Sequence, residues 1–508
     1  MRNPIDQLIN GITMYRLVIY ELSALLVGGA LLSFWKLVPF SAIALIYSTL
    51  VIFVTCWVVN EIFARIYKAP SNPESVIITA LILACIIAPV APTDFVGLPF
   101  VLVASCFAMA CKYVISVRKR HIFNPAAFGV AIAAFVTGGA ASWWVGNLWL
   151  LPISLIGGIL IVRKLQRFDL MASFALVATV TMIVTAAVAT APQIMMWKML
   201  GHTPIVFFAT VMLTEPLTTP PGRRARIVYG ALTGLLFAPA AHIGDFYFSP
   251  ELALLAGNVF SWIAYPKGRR VLRFKERVDI GPNVSDLLFE PDRPMSFRPG
   301  QYVEWTVPHA HADSRGARRY FTIASSPSEP LVRMGVRFMP LNLSSSFKKA
   351  LRELKPGDLV AVSPPVGEFM VPKDPAQKLV LIAGGIGVTP YRSIVQDFID
   401  RGEKRDVVVL YANKIAEDIA YAEVFKRAEP LGVRTVYTLD ALDRIPPDWK
   451  GRRGMIDAAM ITEEIPDFRE RMFYISGPHG MVNAFQHTLR VMGVPAKHIK
   501  VDFFPGFA

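Results

Sequence analysis

The pattern of apolar and polar positions changes character near residue 265. Upstream, long apolar runs recur, among them Leu17 to Trp35, Ser41 to Asn60, Phe100 to Val117 and Leu170 to Thr190. A helix needs about 20 apolar residues to cross about 30 Å of hydrocarbon, so these runs and their neighbours predict roughly ten spans before Tyr265, two of them short or interrupted by proline. Beyond Lys267 no run reaches that length, and short apolar stretches alternate with turn residues, as in strands and amphipathic helices. The chain therefore reads as a membrane domain over 1–265 followed by a water-soluble half. The first apolar run lacks a small-x-small cleavage pattern and is followed by many equivalents, which argues for a span rather than a signal peptide.

Composition agrees with that division. Hydrophobic residues make up 54% of the 508, and the mean hydropathy is +0.45, more apolar surface than an ordinary soluble globule buries. The net charge of +14 would suit a nucleic-acid binder, but its placement explains it otherwise. Arg65 with Lys68, Arg118 to Arg120, Arg163 with Lys164 and Arg167, Arg223 with Arg224 and Arg226, and Lys267 with Arg269 and Arg270 fall in alternate loops. The intervening loops carry little beyond Lys36 and Lys198. This is the positive-inside pattern of an integral protein of a prokaryotic inner membrane. It places both termini and the soluble half in the cytoplasm, makes the lipid bilayer a partner and excludes nucleic acid as one.

The soluble half carries its candidate chemistry in four strings. RRYFTIASSPSE (318–329) alternates as a strand, with arginine leading in and serines leading out. SSSFKKALRELKPGD (344–358) places hydroxyls before a helical pattern whose N-terminus can hold a phosphate. KLVLIAGGIGVTPYRSIVQDFI (378–399) gives an apolar strand, a glycine turn and a helix beginning near Pro390. FYISGPHGMVNAF (473–485) repeats strand, glycine and helix. Each alone also fits a plain edge strand, a helix cap or an ordinary α/β turn; together and in this order they resemble the ferredoxin:NADP reductase family.

That resemblance implies a multi-domain fold: the helical membrane domain, then an antiparallel β-barrel for FAD over 266–372, then a parallel α/β domain for the nicotinamide nucleotide over 373–508. It also implies roles. Arg319 would hold the pyrophosphate, Tyr320 and Phe321 would lie along the flavin, and the Thr322 hydroxyl would reach the flavin nitrogen that accepts hydride. Ser345 and Ser346 would add a second pyrophosphate contact. Gly384, Gly385, Gly387, Thr389 and Pro390 would form one nucleotide loop, and Gly477, Pro478 and Met481 the other. Ser476 stands where the family commonly has cysteine, and with Thr322 and the C-terminal aromatic Phe507 it completes the implied catalytic set. NADH and NADPH both remain open; Asn413 and Lys414 offer a single cation, and Ala416, Glu417 and Asp418 favour NADH.

The electrons then need an acceptor. All four cysteines (Cys56, Cys85, Cys106, Cys111) lie in the apolar runs without C-x-x-C spacing, so packing explains them better than an iron–sulfur cluster, and no metal site is expected. Only His121, His202 and His242 precede residue 265, each near a predicted helix end, which disfavours stacked haems. Two strings, KRHIFNPAAFG (119–129) and FFATVMLTEPLTTPPGRR (207–224), resemble the NqrB/RnfD membrane subunits of sodium-pumping NADH:quinone oxidoreductases and Rnf complexes. Glu215-Pro216 breaks a helix and leaves a carboxylate at membrane depth, costly unless it serves a ligand; the plainer alternative is a helix ending at the surface. Asn124, Thr214, Glu215 and Thr218 are the candidate lining of a non-covalent riboflavin or FMN site. The Ser/Thr-Gly-Ala-Thr string used in that family for covalent flavin is missing; the nearest, VTGGAAS (136–142), has another order. The runs at 75–92 and 207–222 share small residues, threonine and proline-rich ends, the signature of an inverted repeat.

The expectation is a membrane flavoprotein that carries electrons from cytoplasmic NAD(P)H through FAD to a membrane or extracytoplasmic acceptor, such as a flavinylated protein. A quinone reductase acting within the membrane and a redox-gated transporter are the alternatives.

Overall fold

In the computed structural model the chain is described over residues 12–67, 73–117, 120–187, 203–220, 222–239, 241–264, 270–309, 313 and 317–502. Phe507 and His202 lie outside the described residues. Two compact units divide between residues 268 and 269.

The first unit is helical: α1 (Met14–Phe34), α2 (Ala42–Ile66), α3 (Pro73–Ile86), α4 (Leu98–Val114), α5 (Pro125–Thr137), α6 (Leu151–Leu165), α7 (Phe168–Ala187), the single turn α8 (Ile205–Phe207), α9 (Arg223–Phe237) and α10 (Pro250–Ala264). Thr13 and Ser41 cap α1 and α2 by accepting amide hydrogens one turn on. The ten expected spans are corrected here. Among the described residues three helices, α1, α2 and α7, are long and apolar enough to cross a membrane. The shorter apolar helices are cut by their own sequence: α3 stops before the APVAP stretch, and α5 is bounded by Pro125 and by Gly138 at φ 70°.

An order of elements occurs twice. Helix α3 is followed by α4, a minimal hairpin of β1 (Ser116–Val117) and β2 (Arg120–His121), and α5, which begins Asn124-Pro125. The turn α8 continues into a π-helical turn over Phe208–Met212, then α9, a hairpin of β3 (His242–Ile243) and β4 (Phe246–Tyr247), and α10, which begins Ser249-Pro250.

The second unit has two sheets. The first is antiparallel, in the order β8 (Arg318–Thr322), β7 (Tyr302–Thr306), β10 (Leu359–Val362), β5 (Arg270–Gly281), β6 (Val284–Pro291), β9 (Val332–Arg337). Its alternating inward side chains pack around Trp305, with Phe289 at 4.9 Å, and helix α11 (Ser346–Glu353) adds Phe347 and Leu351 to that core. The expected barrel is not confirmed: among the described residues the edge strands β8 and β9 share no ladder, although past the end of β8 the Ala324 N–H donates to Arg333 C=O at 3.0 Å.

The second sheet is parallel: β14 (Arg452–Arg453), β13 (Val433–Leu439), β12 (Val407–Asn413), β11 (Leu379–Gly384), β15 (Met472–Ser476), β16 (Ile499–Val501). Strand β11 is buried throughout, as a parallel strand covered on both faces must be. The chain runs from β11 through α12 (Thr389–Arg401) to β12 on one side and later returns to β15 on the other. The crevice at the C-terminal ends of β11 and β15 is therefore the switch point of the sheet.

The two sheets are tied together within this unit. From α12, Arg392 donates to Ala324 C=O at 3.1 Å and to both carboxylate oxygens of Glu329, and Ser393 Oγ donates to Ser325 C=O at 2.6 Å. The helix that follows the glycine turn is thus docked on the segment that follows Thr322.

Candidate functional site

Strand β8 presents two faces. Arg319, 4% exposed, lies with its guanidinium 5.4 Å from the Phe347 ring centroid, and Phe321 stacks on the same ring at 5.9 Å. Tyr320 meets Tyr302 edge-on at 5.6 Å, and Thr322 turns towards the parallel sheet. Alternation along a strand therefore puts Tyr320, rather than Phe321, on the face shared with Thr322.

The arginine and the serine cluster come together. Arg319 Nη2 donates to Asp313 Oδ1 at 3.2 Å, and the Ser346 amide at the start of α11 donates to Asp313 Oδ2 at 3.1 Å. Ser346 Oγ accepts from the Asp313 amide at 2.9 Å and lies 3.0 Å from His309 Nε2; Ser345 Oγ caps the helix by accepting from the Lys348 amide at 3.3 Å. A guanidinium and a helix N-terminus converge here on one anionic group. The donors that grip the Asp313 carboxylate are of the kind that grip a phosphate, so this cradle fits a pyrophosphate. His309 and Asp313 were not legible in advance, because neither falls in a motif.

At the switch point, β11 leads into a tight turn over Gly385–Val388, with Gly385 at φ 53°, where a side chain would be strained. A Cβ on Gly387 would lie 2.6 Å from the Gly477 backbone, so the two nucleotide loops touch through glycine alone. Gly384 lies against Pro478 and Met481, and Thr389 Oγ1 donates to Ile386 C=O at 3.2 Å, opening α12 ahead of Pro390. The buried Tyr391 hydroxyl lies 3.0 Å from Ile382 C=O and 2.8 Å from Tyr474 C=O, joining β11 to β15. These loops form the crevice in which a dinucleotide fits.

Between the flavin strand and the nucleotide loops stands a residue that no motif singled out. Asp502 follows β16, and its Oδ2 accepts from Thr322 Oγ1 at 3.4 Å and from Ser476 Oγ at 3.2 Å. Its Oδ1 is buried without a partner among the described residues. Burial pushes the Asp502 carboxyl up to about 7, against the pull of the two hydroxyls in the other direction. Thr322 and Ser476, expected at one reacting centre, are held on this carboxylate. The only available signal was the acid in the C-terminal VDFF string.

In the helical unit, Glu215 follows the π turn. Its Oε2 accepts from Asn124 Nδ2 at 2.9 Å and Thr218 Oγ1 at 3.0 Å, and Oε1 lies 3.3 Å from His121 Nε2. Asn124 caps α5, and its amide donates to Asn258 Oδ1 at 2.7 Å; Asn258 in turn donates to the Tyr229 hydroxyl at 2.9 Å. The structure thus gathers Asn124, Glu215 and Thr218 and adds His121, Asn258 and Tyr229. Thr214 stands apart from this cluster, its hydroxyl donating to Thr210 C=O in its own turn at 2.6 Å.

Known proteins resemble the C-terminal half. The oxidoreductase NAD-binding domain family matches residues 381–487. The glycine betaine monooxygenase reductase subunit of Chromohalobacter salexigens is 28% identical over 247 residues, covering 47% of this chain and 65% of the relative. The phenol 2-monooxygenase reductase component DmpP of a Pseudomonas species is 29% identical over 215 residues, covering 42% of this chain and 59% of its own length. The chain thus spans less than two thirds of either relative. Among solved structures, the Amycolatopsis cytochrome P450 reductase GcoB aligns with 27% identity and a TM-score of 0.41, over 46% of this chain and 69% of that one. The C-terminal half of the chain matches the ferredoxin-reductase-like, FAD/NAD-binding oxidoreductase family.

Proposed function

We propose that the protein is an NAD(P)H-dependent FAD oxidoreductase whose electrons leave through the helical unit to a membrane or extracytoplasmic acceptor. The observation that carries this reading is the convergence of Thr322, from the flavin strand, and Ser476, from the nucleotide sheet, on Asp502. When bound, FAD supplies a centre that accepts a hydride and releases electrons singly or in pairs. The chain supplies the rest. Arg319, with Ser345 and the amide of Ser346, holds the pyrophosphate; Tyr320 supports the flavin on the face shared with Thr322, which donates to its reacting edge, and Phe321, stacked on Phe347, is assigned to the flavin through the family resemblance. Gly384, Gly385, Gly387, Thr389 and Pro390 admit the nucleotide backbone, while Gly477, Pro478 and Met481 wall the nicotinamide side. Ser476 orients the nicotinamide, and the Asp502 carboxyl holds or yields a proton, Oδ1 being the oxygen without a partner among the described residues. Phe507 is assigned to the outer face of the flavin through the family resemblance. NADH is the favoured donor, because the exposed Glu417 after β12 would repel a 2'-phosphate, whereas Asp418 is buried and paired with Arg337.

For the helical unit, the two NqrB/RnfD-like strings and the Glu215 cluster support a non-covalent flavin held by Asn124, Glu215 and Thr218, with Thr214 behind them. Inverted membrane vesicles test the whole reading: NADH added outside should reduce an impermeant acceptor trapped within. Reduction confined to acceptors outside would sink transmembrane transfer. A quinone reductase is the second reading, favoured by the amide and imidazole donors beside Glu215, which suit a quinone carbonyl. Loss of short-chain quinone reduction in Asn124→Ala protein, with vesicle transfer unaffected, would select it.

A further inference from the structure

We propose that Glu21 is a proton-holding group of the helical unit, set against the small-residue and hydroxyl face of α6 that also abuts the π turn ahead of Glu215. The proton's use as a redox partner rests on the function proposed above; the site itself does not. Glu21 lies in the second turn of α1, 5% exposed, and both carboxylate oxygens are buried without a partner among the described residues. It is pressed against α6, where a Cβ on Gly157 would lie 2.9 Å from the Glu21 carboxyl carbon. One turn away on the same face of α6, Ser154 Oγ is also buried and unpartnered among the described residues. Gly158, the next residue, abuts Thr210 in the π turn, and the Thr210 carbonyl accepts the Thr214 hydroxyl, one residue before Glu215. Irregular π turns inside helices recur at functional sites, and this one lies between the two acids.

The neighbours fix what Glu21 can hold. The titratable group that α3 brings within electrostatic range is the Cys85 thiol. The cations of α6, Arg163 and Lys164, lie in its last turn, and Glu61 and Arg65 of α2 pair with each other. An ionised carboxylate with no partner in such surroundings is prohibitively costly, which favours the acid form. A hard metal cation takes about six oxygens, and among the described residues the unpartnered side-chain oxygens here are the two of Glu21 and Ser154 Oγ, which favours a proton as the ligand.

The chemistry gives that proton a use. Two-electron reduction of a quinone-class acceptor forms two O–H bonds and so takes up two protons. The hydride from NAD(P)H brings two electrons and a single proton into the soluble unit. Glu21 relays these protons in the helical unit: its O–H breaks, the proton passes to the acceptor, and the carboxylate is reloaded from water, once for each O–H bond formed.

The test uses the full-length protein in its native membrane. An apolar carbodiimide, which reacts with protonated carboxyls in hydrocarbon, should modify Glu21 as read by peptide mass spectrometry, and a water-soluble carbodiimide should not. Absence of the apolar adduct, or protection by sodium or lithium against choline, would overturn the proton site whatever the acceptor. Glu21→Gln should lower NADH-dependent quinone reduction on the order of 100-fold while leaving ferricyanide reduction by the soluble unit intact. An unchanged quinone rate would overturn the relay. A parent protein that labels at Glu21 but reduces no quinone would instead refute the acceptor.

Discussion

Asp502 and Glu215 are both carboxylates gathered by side chains from separate stretches of chain, one in each unit, yet they are held differently. Glu215 is surrounded on both oxygens by an imidazole, an amide and a hydroxyl. Asp502 has two hydroxyls on one oxygen and, among the described residues, no partner on the other. A fully partnered carboxylate acts as a fixed acceptor that orients whatever binds beside it. A half-partnered one, with its carboxyl pushed up to about 7, changes protonation near neutral pH and can take part in proton transfer. The two units thus use the same side-chain chemistry for scaffolding and for titration.

The comparison can be broken most forcefully by removing the anchor of the soluble site. Arg319→Ala takes away a charge-assisted hydrogen bond and leaves Asp313 facing the cradle, so FAD affinity should fall by about 100-fold, read as flavin retained per polypeptide. Glu215→Ala is the counterpart in the helical unit. It should lower transfer to the membrane acceptor by at least about tenfold, because His121 and Asn124 lose their common partner, while NADH–ferricyanide activity stays at the parent rate.

The next prediction concerns pH. Between about 4 and about 7 the folded protein keeps a proton on Asp502 that the unfolded chain releases, so this group's contribution to stability falls as pH rises through that window and is level above it. Asp502→Asn should flatten that slope in denaturation experiments and remove any break near pH 7 in the rate of flavin reduction by NADH. A break that persists in the variant would assign it to another group. The smallest effect is expected for Ser476→Cys, which keeps a short donor beside Asp502; the rate should change by no more than about threefold.

Much of the C-terminal half was legible in the sequence because its motifs are local. Arg319, Thr322, Gly385 and Pro390 announce themselves through spacing within one strand or one turn. Asp502, Asp313 and His309 do not, since their roles arise only when β16 lies beside β15 and when α11 meets the segment before β8. The helical unit was harder for a different reason. Apolar runs give the presence of helices but not their lengths: α3 and α5 are cut short by proline and glycine placements that a hydropathy average passes over. Glu215 stands out as a carboxylate beside a helix-breaking proline and Asn124 lies in a string that resembles the membrane subunits, whereas Asn258 and Tyr229 reveal themselves only through their bonds, to each other and to Asn124. Thr214 shows the limit of proximity in sequence, since one residue of offset turns its hydroxyl back into its own helix.

Tyr391 lies in the first turn of α12, just after the glycine turn, and its single phenolic proton is shared between carbonyls near the ends of two strands. The width of the cleft is thus gauged by one ring from beneath. An engineer wishing to admit a bulkier or truncated nicotinamide analogue would do better to change that gauge than to carve the walls, because the glycines above have no side chain left to remove.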